Sequence, residues 1–189
     1  MLSVVKEISS AAPGRLELVR RFVNSRNIET GDEAFDTAAG ATDWLRAADL
    51  LPAGTEATAA DVARTVEVRE ALRELLLANH GPDAAPDDAV AVLNRALRRA
   101  GQSVAFTTTR GWITEPTAPA VDAAIGRLLG VVVQAMADGS WPRLKACAND
   151  ECRWAFYDRS RARSGKWCQM GLCGNRAKQR AWRTRHPGS

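Results

Sequence analysis

The chain of 189 residues has no cysteine before residue 147, and it contains only two histidines and one tyrosine. Side chains of these types carry much of nucleophilic and acid–base chemistry, and no Ser–His–Asp arrangement can be read from the sequence. Residues 171–174 include two glycines but lack the Gly-Lys-Ser/Thr motif of a phosphate-binding loop. His80 and His186 are both expected at the surface. These absences predict a binding protein rather than an enzyme.

Long apolar runs are also missing. Residues 1–14 include Lys6, Glu7 and three serines, and they contain no apolar run of the length found in a secretory signal. The most apolar stretch, residues 121–137, is interrupted by Asp122 and Arg127 and falls short of the roughly 20 apolar residues that a membrane span needs. We therefore expect a cytoplasmic protein without a membrane partner, a setting in which structural disulfides are rare.

The net charge of the chain is small, at +4, but the N-terminal and C-terminal parts of the chain carry net charges of opposite sign. From Trp141 onward 12 Lys/Arg stand against 3 acids, a balance of +9, whereas residues 1–140 carry 14 Lys/Arg and 19 acids, a balance of −5. A basic segment binds polyanions by counterion release, and nucleic acid is the commonest polyanion in a cell. A solubilising tail is the alternative interpretation. However, this segment also contains all four cysteines and six of the eleven aromatic residues.

Hydrophobic periodicity predicts a mainly α-helical protein with a short β-hairpin. Helices are expected over residues 15–27, 42–50, 59–79, 86–100 and 120–138, and hairpin strands over 103–109 and 112–114. Thr42 is the expected cap of the second helix, and Thr58 with Asp61 resembles a capping box for the third. Glycine and proline at 139–142 mark a boundary. The sequence thus predicts a helical N-terminal domain, 1–139, followed by a small four-cysteine module, 143–186, that ends in a basic helix.

The four cysteines form two tight pairs. Cys147 and Cys152 are separated by four residues, Cys168 and Cys173 by four more, and 15 residues lie between the pairs. Two pairs joined by a loop suit a tetrahedral Zn²⁺ site, and four thiolate ligands would leave no open position for catalysis, so the metal would be structural. Two disulfides, an iron–sulfur cluster and a redox switch remain as alternatives.

Cations surround these pairs. A loop between them and a predicted helix through residue 185 supply side chains suited to phosphates and to guanine edges in the major groove. The candidate nucleic-acid contacts are Arg159, Arg161, Arg163, Lys166, Asn175, Arg176, Lys178, Arg180, Arg183 and Arg185. Arg176, Arg180 and Arg183 share one helix stripe, and Lys178 and Arg185 form a second. The aromatic residues Trp154, Phe156 and Trp167 are expected to pack the core of the small module.

The C-terminal pattern resembles the CGNR zinc finger. The residues that carry this resemblance are Cys147, Cys152, Arg153, Trp154, Phe156, Asp158, Ser160, Arg161, Trp167, Cys168, Met170 and the run Cys173-Gly174-Asn175-Arg176-Ala177-Lys178. Residues 22–26, 44–46, 69–73 and 93–94 are similar to the ABATE domain that precedes this finger in bacterial proteins, although Ser25 stands where threonine is expected. The resemblance implies a stress-induced transcription regulator with structural Zn²⁺, in which the finger binds DNA.

Two binding functions follow from these observations. Double-stranded DNA is the expected partner, and the alternative is an RNA-binding or protein–protein adapter module without sequence-specific DNA binding. A single small module buries only about 600–1,000 Å² on DNA, which favours two copies acting together. A homodimer through the helical body is therefore expected, and the same body could hold a small effector.

Overall fold

The computed structural model describes residues 11–82, 84–109 and 111–186, apart from the side chain of Ala181. Within these ranges the chain forms six α-helices and two antiparallel hairpins, which confirms the predicted fold class. The helices are α1 (Leu16–Val23), α2 (Ala38–Ala47), α3 (Ala59–Ala78), α4 (Asp87–Ala100), α5 (Ala120–Ala137) and α6 (Asn175–Arg185). The strands are β1 (Ser103–Phe106), β2 (Trp112–Glu115), β3 (Leu144–Ala146) and β4 (Ala155–Tyr157).

Local capping explains where two of the helices begin. The capping box of α3 is confirmed, since Asp61 N donates to Thr58 Oγ1 over 3.2 Å and Thr58 N donates to the Asp61 carboxylate over 2.8 Å. The predicted cap of α2 was wrong. Thr37 caps that helix, whereas Thr42 lies inside it and accepts a hydrogen bond from Ala57 N. Thr42 is therefore used to hold the segment that leads into α3.

The centre of the fold is α5, which is apolar on most of its circumference and packs against α1, α3 and α4. A helix that is hydrophobic on nearly all sides is normally buried. By length and composition alone α5 could also cross a membrane, but most of it is buried inside the fold. Gly126 permits the close approach of its neighbours, because a Cβ there would lie 2.8 Å from Cβ of both Ala100 and Pro116.

The hairpin β3–β4 shares the core of the helices. Leu144, Ala146 and Ala155 are buried in the same apolar cluster as α1, α3 and α5. The strands pair in the antiparallel register Leu144 with Tyr157 and Ala146 with Ala155. Since β3 packs on α3 and β4 on α1, the C-terminal module is seated on the helical body along one continuous interior.

Candidate zinc centre and nucleic-acid interface

The four cysteines converge at one buried point. Their Sγ atoms all lie within 4.8 Å of one another, and Cys168 Sγ is 3.7 Å from Sγ of both Cys152 and Cys173. Four thiolates at about 2.3 Å from a tetrahedral Zn²⁺ would be about 3.8 Å apart, whereas a disulfide needs about 2.05 Å. All four thiols are free and buried. The geometry therefore fits a metal ion and excludes the two-disulfide alternative.

In the absence of a metal ion, the thiols of this cluster would stay protonated at neutral pH. The hydrogen bond with Cys152 raises the pKa of the Cys147 thiol to about 12, with burial adding to the rise. Hydrogen bonds with Cys147 and Cys152 likewise raise the pKa of Cys168. Sulfur atoms this close repel one another once they ionise, so a divalent ion among them is what would let all four exist as thiolates.

One buried amide, that of Asn149, links the sulfur cluster to α6. Asn149 Nδ2 lies 3.9 Å from Cys173 Sγ, and Asn149 Oδ1 accepts a 2.7 Å hydrogen bond from Arg180 Nη2. Its backbone oxygen accepts from the amides of Cys152 and Arg153, which closes the turn of the first cysteine pair. Such partners orient metal ligands and fix their surroundings. Asn149 was not among the residues predicted from the sequence; its position between the paired cysteines was the available signal.

A buried ion pair holds the basic loop, residues 159–166. Lys145 Nζ lies 2.9 Å from Asp158 Oδ2, and the two side chains are 2% and 3% exposed. The same carboxylate accepts from the amides of Ser160, at 3.0 Å, and Gly165, at 2.8 Å. Gly165 passes so closely that a Cβ there would lie 2.9 Å from Asp158 Cγ. The loop is therefore tied at both ends to one carboxylate. Asp158 belongs to the CGNR pattern, but its pairing with Lys145 and with the loop amides was not predicted from the sequence.

Family comparisons match both parts of the chain. The CGNR zinc finger matches residues 143–186. The ABATE family, described as "Putative stress-induced transcription regulator", matches residues 16–139. The chain belongs to the ABATE family. No curated protein matches the sequence. Neither family is an enzyme family, and the CGNR match together with the sulfur cluster identifies the metal as structural zinc.

The ABATE segments noted in the sequence meet one another in the fold. Arg69, which is fully buried, pairs with Glu33 and Glu70 and donates to Ser25 Oγ over 3.2 Å. Arg73 donates to Val23 O over 2.7 Å, so that the end of α1 is fixed to α3. Burial acts to raise the pKa of Glu33, but the hydrogen bonds from Arg69 and the Phe35 amide, together with the charges of Arg69 and Arg26, outweigh burial and lower the pKa. These charges are thereby kept paired inside the ABATE body.

The ABATE body and the CGNR module are joined by side chains that bond to the module's backbone. Asn24 pairs with Ala155 through two hydrogen bonds of 2.8 and 2.9 Å, in the manner of a neighbouring strand. Helix α1 ends at Val23 rather than at the predicted residue 27, and Asn24 is the first residue after it. Arg73 donates to Arg153 O, and Asn79 donates to the carbonyls of Trp141 and Leu144.

His80 also lies at the contact between the ABATE body and the CGNR module. Its Nε2 atom lies 2.6 Å from Ala146 O, directly before the first cysteine, and burial lowers the pKa of the imidazole. The side chain is partly buried, so the expectation of a surface position was wrong, whereas His186 is exposed.

The predicted packing of the aromatic residues in the small module is confirmed. Trp154 and Phe156 are buried beside the cysteines, and Trp167 is partly buried against them.

The ten candidate nucleic-acid residues are all exposed, and on α6 both Arg176 and Arg180 contact side chains elsewhere in the chain. Arg176 Nη1 lies 2.7 Å from Glu29 Oε1, and Arg180 bonds to Asn149 and lies 3.5 Å from Glu151 Oε2. In the loop, Arg159 donates to Ala11 O over 3.0 Å. Asn175 Nδ2 donates to Gly171 O within the turn that precedes α6.

The other cations project into solvent. Within the described part of the chain, no partner is found for the side chains of five of them. These are Arg161, Arg163, Lys166, Lys178 and Arg183. The zinc centre thus carries cations on two adjoining segments, the basic loop and α6.

Proposed function

We propose that this chain is a DNA-binding transcription regulator of the stress response, in which the zinc module, 143–186, presents α6 and the basic loop to double-stranded DNA. The observation that supports this most directly is the link from Cys173 through Asn149 to Arg180, because it fixes the direction of a cationic helix relative to the metal. A helix of 11 residues is about 16 Å long and fits the major groove. A cytoplasmic location and a bacterial source accord with this role.

Electrostatics supports the same function. The module carries +9 and the preceding 140 residues carry −5, so the surface that meets the phosphates is distinct from the rest of the molecule. The net negative charge of the body disfavours contact with a duplex and the positive charge of the module attracts it, which favours approach at the module. The loop cations Arg161, Arg163 and Lys166 are suited to phosphates, since phosphate contacts fix the register of a protein on DNA.

Salt should weaken this complex steeply. If the loop and α6 together neutralise about five phosphates, the logarithm of the association constant should fall with the logarithm of salt concentration with a slope of about −4 to −5. Arg161→Ala should lower the magnitude of that slope by about one and weaken binding equally on all sequences. Fluorescence anisotropy of a labelled duplex at 50–200 mM salt measures both quantities.

The alternatives give different results in the same experiment. An RNA-binding module would prefer single strands over duplex, since exposed bases would then be stacked. A protein–protein adapter would bind neither nucleic acid at micromolar concentration in physiological salt. Arg95→Ala, at an exposed pair with Glu67 in the body, serves as the matched control and should leave the slope unchanged.

We propose that the helical body, 1–139, supplies dimerisation or effector binding. The hairpin β1–β2 exposes apolar side chains, among them Phe106 at 91% and Val104 at 64%, which association with a second copy would cover. A separate apolar pocket of about 320 Å³ lies between α3, α4 and α5, with Val90 and Met136 at its exposed rim. Its size suits a small apolar effector.

Dimerisation can be tested by sedimentation equilibrium with and without DNA. A species of twice the 20.4 kDa chain mass is expected, and Phe106→Ser should shift it toward monomer. Met136→Ser, at the pocket rim, should leave the dimer intact. A strictly monomeric wild-type protein in both conditions would contradict the proposal.

A further inference from the structure

The two sides of α6 have different surroundings. Arg176, Arg180 and Arg183 lie within about 60° of one another around the helix axis, and the first two contact Glu29, Asn149 and Glu151. Arg176 and Arg180 therefore face the module and the body, while Arg183, one turn further on, is exposed. When a helix is attached to its protein along one side, only its opposite side can face the bases in a groove.

The opposite side of α6 carries a second stripe of residues at helical spacing. Lys178, Trp182 and Arg185 are four and three residues apart, so they share a face roughly opposite the arginine stripe. An indole ring is thus placed between two cations on a helix that is otherwise strongly polar.

Trp182 is exposed where packing does not require it. Its side chain is 49% exposed, and it lies outside both apolar clusters of the fold. Its ring stacks on His186 with centroids 5.0 Å apart and an angle of 21°, and His186 in turn bonds to Trp182 O. The ring is therefore held in a defined position at the end of α6, and its solvent-facing apolar surface gains nothing from the fold.

We infer that Lys178, Trp182 and Arg185 form the base-contacting face of α6, with the indole of Trp182 against the C5-methyl group of a thymine. This inference rests on the proposed DNA binding and specifies which side of the helix reads sequence. The thymine methyl is the apolar feature of the major-groove edge, and apolar side chains recognise it. Lys178 and Arg185 flank the ring with charges suited to guanine edges or to the phosphates beside that base pair. Arg176 and Arg180 hold the helix in place.

The experiment first selects a preferred duplex from a random library with the wild-type protein. Each thymine of that duplex is then replaced by deoxyuridine, which removes only the methyl group. Wild type should lose about fourfold in affinity at one position, the effect of one buried methyl. Trp182→Ala should bind the preferred duplex about tenfold less tightly, show no loss on that deoxyuridine replacement, and bind random duplex within twofold of wild type.

Arg183→Ala is the matched control on the other stripe. It should weaken binding to preferred and random duplexes alike and keep the deoxyuridine penalty. Zinc content and far-UV circular dichroism of both variants should equal those of wild type, because both side chains are exposed.

Three results would overturn the inference while leaving DNA binding intact. Trp182→Ala could select the same duplex with the same deoxyuridine penalty. Trp182→Ala could lose affinity for every sequence while wild type shows no loss on any deoxyuridine replacement. That result is expected if the ring inserts between base pairs. Wild type could instead show no deoxyuridine penalty at any position, with Trp182→Ala binding as tightly as wild type. A wild-type protein that binds no duplex contradicts the proposed function itself.

Discussion

Replacement of both Cys168 and Cys173 by serine is expected to abolish zinc binding and to lower affinity for duplex DNA by at least about 100-fold. The module's own apolar cluster consists of the four cysteines, Trp154 and Phe156, with Trp167 at its edge. A cluster this small gains much of its folding free energy from the metal, about 10–16 kcal/mol in zinc-finger peptides. Without zinc the turn before α6 should open and the helix should lose its fixed direction. Metal analysis and anisotropy titration measure both effects.

A chelator should reproduce this result in the wild-type protein, and added Zn²⁺ should reverse it. Co²⁺ in place of zinc should give the visible absorption of tetrahedral thiolate coordination. The body provides the internal control, since the largest part of the apolar core lies in α1 to α5 and should still unfold cooperatively. A double serine variant that retained one zinc per chain and full DNA affinity would rule out these ligands.

Asp158→Ala should destabilise the module by about 3–5 kcal/mol, because it would leave the ammonium group of Lys145 buried without its counter-charge. Burial acts to raise the pKa of Asp158, but hydrogen bonds from Ser160 and Lys145 outweigh it and hold the pKa well below its usual range. The sign follows from that lowered pKa: the stabilisation is complete at neutral pH and is lost as pH falls through the folded-state value. Urea unfolding followed by tryptophan fluorescence at pH 7 measures the loss.

Two further variants separate charge pairing from packing. Lys145→Met combined with Asp158→Leu removes both charges and should recover part of the loss, although the amides of Ser160 and Gly165 then lose their acceptor. Arg95→Ala breaks an exposed pair and should change stability by less than about 1 kcal/mol. Equal effects of Asp158→Ala and Arg95→Ala would show that the buried pair does not stabilise the loop.

Local patterns in the sequence predicted much of this structure. The cysteine spacing predicted the metal cluster because all four ligands lie within 27 residues. Thr58 and Asp61 predicted the start of α3 because both partners of a capping box lie within one turn. Thr37 and Thr42 could each have capped α2, and the choice depends on Ala57, which bonds to Thr42 from 15 residues away.

Contacts between distant residues could not be predicted in this way. Asn24 and Ala155 are 131 residues apart, and no pattern in either segment indicates that an asparagine ends α1 in order to pair with β4. The periodicity of α6 placed Arg176, Arg180 and Arg183 on one stripe. It could not tell that this stripe faces Glu29 and Asn149 rather than a ligand, because helical spacing defines faces but not their orientation.

The continuous interior between the helical body and β3–β4 has a consequence for how two copies would read an operator. Asn24, Arg73 and Asn79 attach the module to the body at several points. In the proposed dimer, α6 would therefore keep a fixed position relative to the hairpin β1–β2. In a symmetric dimer, the distance between the two copies of α6 would be set by the protein and not by the DNA. Inserting or deleting a few base pairs between half-sites should then disrupt paired binding, because the two grooves no longer face the protein in the same direction. Adding a full helical turn would restore the facing of both grooves but would change their separation.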